Sequence, residues 1–120
     1  MITIMPQSHD NIIGVQGTGK VTDQDYLDIL IPKLDEVLKK YGKARFLYYL
    51  DENFAGWEIG AMWEDTKFGL RHKDEFEKIA VVGGPTWAAW AIKLFGYFME
   101  GQAKIFSLEE LQAAWDWLNA

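Results

Sequence analysis

Apolar residues recur along this chain with two different periods. Met1-Ile2-Thr3-Ile4-Met5 alternates, turn residues fill Pro6 to Asn11, and Ile12-Ile13-Gly14-Val15 resumes the apolar run. Alternation and short apolar runs are strand signals, and this spacing predicts an antiparallel hairpin. The period then lengthens, with Leu27, Leu30, Leu34, Val37, Leu38 and Tyr41 on one helical stripe. Thr22 offers an N-cap hydroxyl, and Asp23 and Asp25 follow where free amides and the helix dipole favour acids. Lys39 and Lys40 sit at the far end and Gly42 stops the helix. Pro32 has no amide hydrogen to donate, which predicts a kink near Asp28.

Arg45 to Leu50 is almost continuously apolar and aromatic, as suits a central strand covered on both faces. Gly56 to about His72 is expected to form a second helix, with Ile59, Met62, Trp63 and Thr66 on one side. Ile79 to Val82 predicts a buried strand that ends at Gly83-Gly84. Pro85 and Thr86 open an aromatic-rich helix from Trp87 to Met99, since proline suits a first turn. Lys104-Ile105-Phe106 predicts a last strand. Ser107 and Glu110 have the spacing of a capping box, and Leu111, Trp115 and Leu118 carry the closing helix. The order is β-β-α-β-α-β-α-β-α, which implies an α/β domain: a mixed, mostly parallel sheet flanked by helices.

At 120 residues and 13.8 kDa the chain suits one core, so residues 1–120 are expected to form a single domain. The absence of cysteine excludes a disulfide scaffold, thiol catalysis and cysteine-ligated metal. A net charge of −6 with no basic arm argues against nucleic acid as a partner. The start, MITIMPQSHD, lacks the positive region of a secretory signal, and no run approaches the length of a membrane-spanning helix. A cytoplasmic protein is the expectation.

Candidate chemistry is sparse. Gly14-Val15-Gln16-Gly17-Thr18-Gly19-Lys20 satisfies the spacing of a phosphate-binding loop. Val21 replaces the hydroxyl that should ligate magnesium, however, and Lys20 precedes the helix signal at Thr22. A glycine-rich strand end that turns into a capped helix explains the run better. His9 and His72 lack the neighbours of a metal site, so neither metal nor cofactor is expected. Asp51 and Glu52 follow the central strand at the edge where open α/β sheets place sites. A small enzyme using either acid is the third and last reading, because no nucleophile and base accompany them.

The aromatic helix says more. Trp87, Trp90, Ala91, Leu94 and Phe98 form one stripe, and Ala88, Ile92, Phe95 and Met99 a second. A helix apolar nearly all round needs cover on both sides, and a sheet supplies only one. Trp57, Met62 and Trp63 on the preceding segment either supply that cover or line a shared apolar crevice.

Gly19 to Tyr26, Arg45-Phe46-Leu47 into Asp51, Phe54-Ala55-Gly56, Trp63-Glu64-Asp65 with Lys67-Phe68-Gly69, and Ile79 to Gly83 resemble the SpoIIAA-like family. Phe106, Ala113-Ala114-Trp115 and Leu118 fit the same family. The resemblance implies the fold of anti-sigma-factor antagonists, the STAS type, with a fold-level similarity to lipid carriers of the CRAL-TRIO type. It also implies binding of apolar ligands or membranes. Antagonists of this type carry a phosphorylatable serine after the central strand, whereas Asp51 to Trp57 contains none. A phosphorylation switch is therefore not implied.

These observations favour a non-enzymatic binding domain for an apolar small molecule or lipid. Its expected ligand-binding residues are Trp57, Met62, Trp63, Trp87, Trp90, Ala91, Leu94, Phe95 and Phe98. Lys67, Arg71 and Lys93 would meet an anionic headgroup, with peripheral contact at the inner face of the membrane. The alternative is a protein-interaction module, a homodimer or regulatory partner, that buries the same apolar surface.

Overall fold

In the computed structural model, which describes residues 1–58, 73–84 and 102–120, five strands form one sheet. They are β1 (Ile2–Ile4), β2 (Ile12–Val21), β3 (Ala44–Trp57), β4 (Phe76–Gly83) and β5 (Gln102–Phe106), side by side in that order. β1 pairs antiparallel with β2, and every later pair is parallel. The predicted hairpin and the mostly parallel sheet are both present. The expected helix 87–99, and nearly all of that expected over 56–72, lie outside the described residues.

Alternation along the strands builds two cores. Phe46, Tyr48 and Leu50 of β3, with Ile79 and Val81 of β4, face the helix between β2 and β3. Leu47, Ala80 and Val82 face the opposite way, toward the C-terminal helix. Helices thus cover both faces of the sheet, and the central strands read as continuous apolar runs because neither face meets water.

The first helix, α1, spans residues 23–41 and is interrupted. An α-helical turn at Asp23–Asp25 gives way to a π-helical stretch at Tyr26–Leu30, and an α-helix resumes over Ile31–Tyr41. The discontinuity expected near Asp28 is this π-helical stretch, in which the Ile31 amide donates to the Tyr26 carbonyl. Pro32 then falls in the first turn of the following α-helix, where its missing amide costs little. The wider turn shifts the phase of the apolar stripe. Tyr26, Leu30, Leu34 and Leu38 are buried at steps of four, while Leu27 and Tyr41, expected on the stripe, are 45% and 42% exposed.

Local chemistry marks the helix ends as expected. The Thr22 hydroxyl accepts from the Asp25 amide at 3.1 Å, and the Asp25 carboxylate accepts from the Thr22 amide at 2.8 Å. Gly42, at φ 77°, ends α1 in the left-handed conformation that glycine adopts without strain. The glycine-rich run is β2 itself, which continues to Val21 before Thr22 caps the helix, so no phosphate loop forms. After β5 a short 3-10 turn at Leu108–Glu110 leads into α2 (Leu111–Asn119). The Glu110 carboxylate accepts from the Ser107 amide at 2.8 Å.

β3 is longer than its apolar run. Its pairing with β2 jumps from Gly17↔Leu50 to Gly19↔Phe54, so Asp51, Glu52 and Asn53 lie opposite Thr18 alone. Beyond this bulge the two strands continue as a ribbon to Val21↔Trp57. Gly56 and Trp57 are therefore strand residues, which corrects the helix expected to begin at Gly56. Phe54 and Trp57 hold the ribbon down, their rings meeting edge-on at 4.7 Å against the α1-side core.

Candidate functional site

The parallel strands direct their carboxyl ends to one edge of the sheet, where ligands of open α/β proteins bind. At that edge β3 bulges after Leu50, and β4 ends at Gly83, with Gly83 and the following Gly84 at φ 78° and 87°. A side chain at Gly83 would collide with the Leu50 carbonyl and with Leu108, so glycine is required there by space as well as by backbone conformation.

What remains open is a recess of about 430 Å³. Leu50, Phe54, Ala55 and Leu108 form its apolar lining, and Asp51 and Glu52 are its ionisable side chains among the described residues. Leu50 is fully buried, whereas Leu108 is 38% exposed. Apolar walls with a few polar groups, in a volume of roughly 300–1,000 Å³, are the general character of small-molecule sites.

The bulge fixes Asp51. One carboxylate oxygen accepts from Gln16 Nε2 at 2.8 Å and the other from the Asn53 amide at 2.9 Å. The second bond folds the bulge back on itself as an Asx turn. Both bonds serve positioning, and among the described residues no histidine, cysteine or hydroxyl side chain lines the recess to complete a catalytic set. No group of three or more metal-ligating side chains occurs among the described residues.

Behind Phe54 lies a polar chain within the core. The Trp57 indole donates to the Tyr48 hydroxyl at 3.0 Å, and the Tyr48 and Tyr26 hydroxyls share a hydrogen bond of 2.6 Å. The π-helical phase that turns Tyr26 inward makes the second bond possible, and the Tyr48 ring meets Trp57 nearly edge-on at 6.3 Å. A buried hydroxyl costs free energy unless it is bonded, so the chain ties α1, the sheet and the ribbon together.

Of the predicted ligand-binding residues, Trp57 alone is described. It is half-buried and backs Phe54 without lining the recess itself. Met62, Trp63, Trp87, Trp90, Ala91, Leu94, Phe95 and Phe98 lie outside the described residues, as do Lys67, Arg71 and Lys93. Leu50, Phe54 and Leu108 were not singled out by sequence. The available signal was an apolar run breaking at an acidic pair, opposite a Gly-Gly stop. No described helix is long and apolar enough to cross a membrane.

A SpoIIAA-like family model matches residues 12–119. The chain is also similar to the crystal structure of an uncharacterised protein from the DUF3478 family with a SpoIIAA-like fold, from Shewanella loihica PV-4. The two are 31% identical with a TM-score of 0.74, over 98% of this chain and 93% of that one. No curated protein matches the sequence.

Proposed function

We propose, because the chain belongs to the SpoIIAA-like family, that it is a non-enzymatic binding domain whose recess takes an apolar, lipid-like ligand. The observation that carries this reading is the apolar recess of about 430 Å³ at the carboxyl edge of the sheet. Burying some 100 Å² of ligand there contributes about 2.5 kcal/mol at ~25 cal/mol per Å². Several such contacts hold a chain-like molecule without any catalytic group.

A protein-interaction module is the second reading. Leu108, exposed at the mouth of the recess, favours it, since an exposed apolar anchor beside a pocket also suits a protein partner. Contact with a membrane surface is a finer form of the first reading and is checked by flotation with anionic vesicles.

Native mass spectrometry of freshly purified protein separates these readings. The expected result is a monomer with added mass that organic solvent extracts, and a Leu108→Glu variant that purifies without it. A clean dimer that Leu108→Glu converts to monomer overturns the ligand reading in favour of the second. A bare monomer that takes up neither decanoate nor decylamine also overturns it.

A further inference from the structure

We infer that Tyr26 and Tyr48, which do not line the recess, are positioning residues for it, and that its occupancy is coupled to the π-helical stretch of α1. This rests on the proposed ligand reading and adds how the site is held and what it moves.

A continuous run of contacts joins the two places. Phe54 lines the recess, and its ring meets that of Trp57 edge-on at 4.7 Å. The Trp57 indole donates to the Tyr48 hydroxyl at 3.0 Å, and that hydroxyl bonds the Tyr26 hydroxyl at 2.6 Å. Tyr26 opens the π-helical stretch, and its carbonyl accepts from the Ile31 amide. This far end carries apolar residues for two arrangements. Residues three and four apart share a helical face, so Leu27, Leu30 and Leu34 make one stripe and Tyr26, Leu30 and Leu34 another. The π-helical turn selects the second, with Tyr26 1% exposed and Leu27 45%. An α-helical turn is tighter, and would rotate Leu27 back toward the core and Tyr26 away from Tyr48. A ligand packed on Phe54 fixes Trp57, Trp57 orients the Tyr48 hydroxyl, and a fixed hydroxyl favours the phase that keeps Tyr26 on it. Linkage is reciprocal, so the hydroxyls that hold this phase also raise affinity at the recess.

The test titrates decanoate and decylamine, each below its micelle concentration, by calorimetry at pH 7 and follows amide hydrogen exchange with the tighter probe. That probe is expected to slow exchange at Ile31 at least about fivefold more than at Leu118, which lies in the core on the opposite face of the sheet. Tyr26→Phe and Tyr48→Phe are each expected to weaken binding about fivefold, the lower end of ordinary coupling, and to cancel the extra protection. Tyr26→Phe leaves the Trp57–Tyr48 bond in place, so it carries the test if Tyr48→Phe does not fold. Gly14→Ala, crowded against Trp115 on the other face, controls for lost stability and should bind as the native chain does. If Ile31 and Leu118 respond alike, or Tyr26→Phe binds as tightly as the native chain, the coupling is overturned while the ligand reading stands. Weakening by Gly14→Ala equal to that by Tyr26→Phe also overturns it. If neither probe binds, the ligand reading itself fails and takes the inference with it.

Discussion

The indole of Trp115 lies directly against the backbone of Gly14, so closely that a Cβ built at position 14 would collide with its ring carbons Cη2 and Cζ2. Gly14 sits in the middle of β2 and Trp115 in α2, so the missing side chain on the strand is what seats the helix. Gly14→Ala is expected to cost about 1–3 kcal/mol, the usual penalty for overpacking. The measurement is the urea midpoint at unchanged slope. With Trp115→Leu in the background most of that penalty should vanish. An equal cost in both backgrounds would place the strain elsewhere.

The carboxyl end of α2 has no basic residue in its last turn, and the sheet provides the cations instead. Arg45 Nη1 donates to the Leu118 carbonyl at 2.6 Å and Lys78 Nζ to the Trp117 carbonyl at 2.8 Å, where the helix dipole adds to the bond. Arg45→Met is expected to cost about 1.5–3 kcal/mol, the range for hydrogen bonds to charged groups. Lys78→Met should cost less, because methionine keeps the packing on the Trp117 ring. Thermal unfolding reads both, at roughly 4 °C per kcal/mol for a domain of this size. A variant as stable as the native chain would show that water replaces the side chain.

Tyr48→Phe removes the hydroxyl that accepts from Trp57 and bonds Tyr26. The expected loss is about 0.5–1.5 kcal/mol, the usual net contribution of a hydrogen-bonded hydroxyl. Tyr26→Phe should cost a similar amount, and the double variant clearly less than the sum. Additive losses in that cycle would mean that the two hydroxyls act independently. Trp57 emission offers a second readout, since its indole loses a hydrogen-bond acceptor only in the Tyr48 variant.

Asp25 gives the stability a defined pH dependence. Burial by itself raises its carboxyl pKa; the amide and hydroxyl of Thr22 and the Met1 ammonium outweigh this and hold it below the ordinary 3.8. A carboxyl depressed in the folded state contributes stability above its unfolded pKa and loses it as pH falls through the folded value. Asp25→Asn should therefore be less stable than the native chain at pH 7, with the gap closing below about pH 4. A gap that stays constant down to pH 2 would contradict this. Thr22→Ala removes the reciprocal half of the cap and is expected to cost about 1 kcal/mol.

Sequence by itself determined the order of the five strands, the first and last helices, the caps at Thr22 and Ser107, the stop at Gly42 and the turn at Gly83-Gly84. Each of these depends on residues within a few positions of one another, so period and spacing carry the information. Pro32 likewise announced a break in α1. Only the tertiary structure decided its form, a π-helical stretch that turns Tyr26 toward Tyr48 and leaves Leu27 in solvent. Tertiary pairing also decided that β3 runs on through a bulge to Trp57, because Trp57 packs on Tyr48 and Phe54 on Trp57 against the α1-side core, and a helix from Gly56 could not place them there. The recess was not legible for the same reason. Leu50 and Phe54 of β3 meet Leu108 only when the turn after β5 reaches the same edge of the sheet, and hydrophobic period records which face a residue takes, never the distant partner that it finds there.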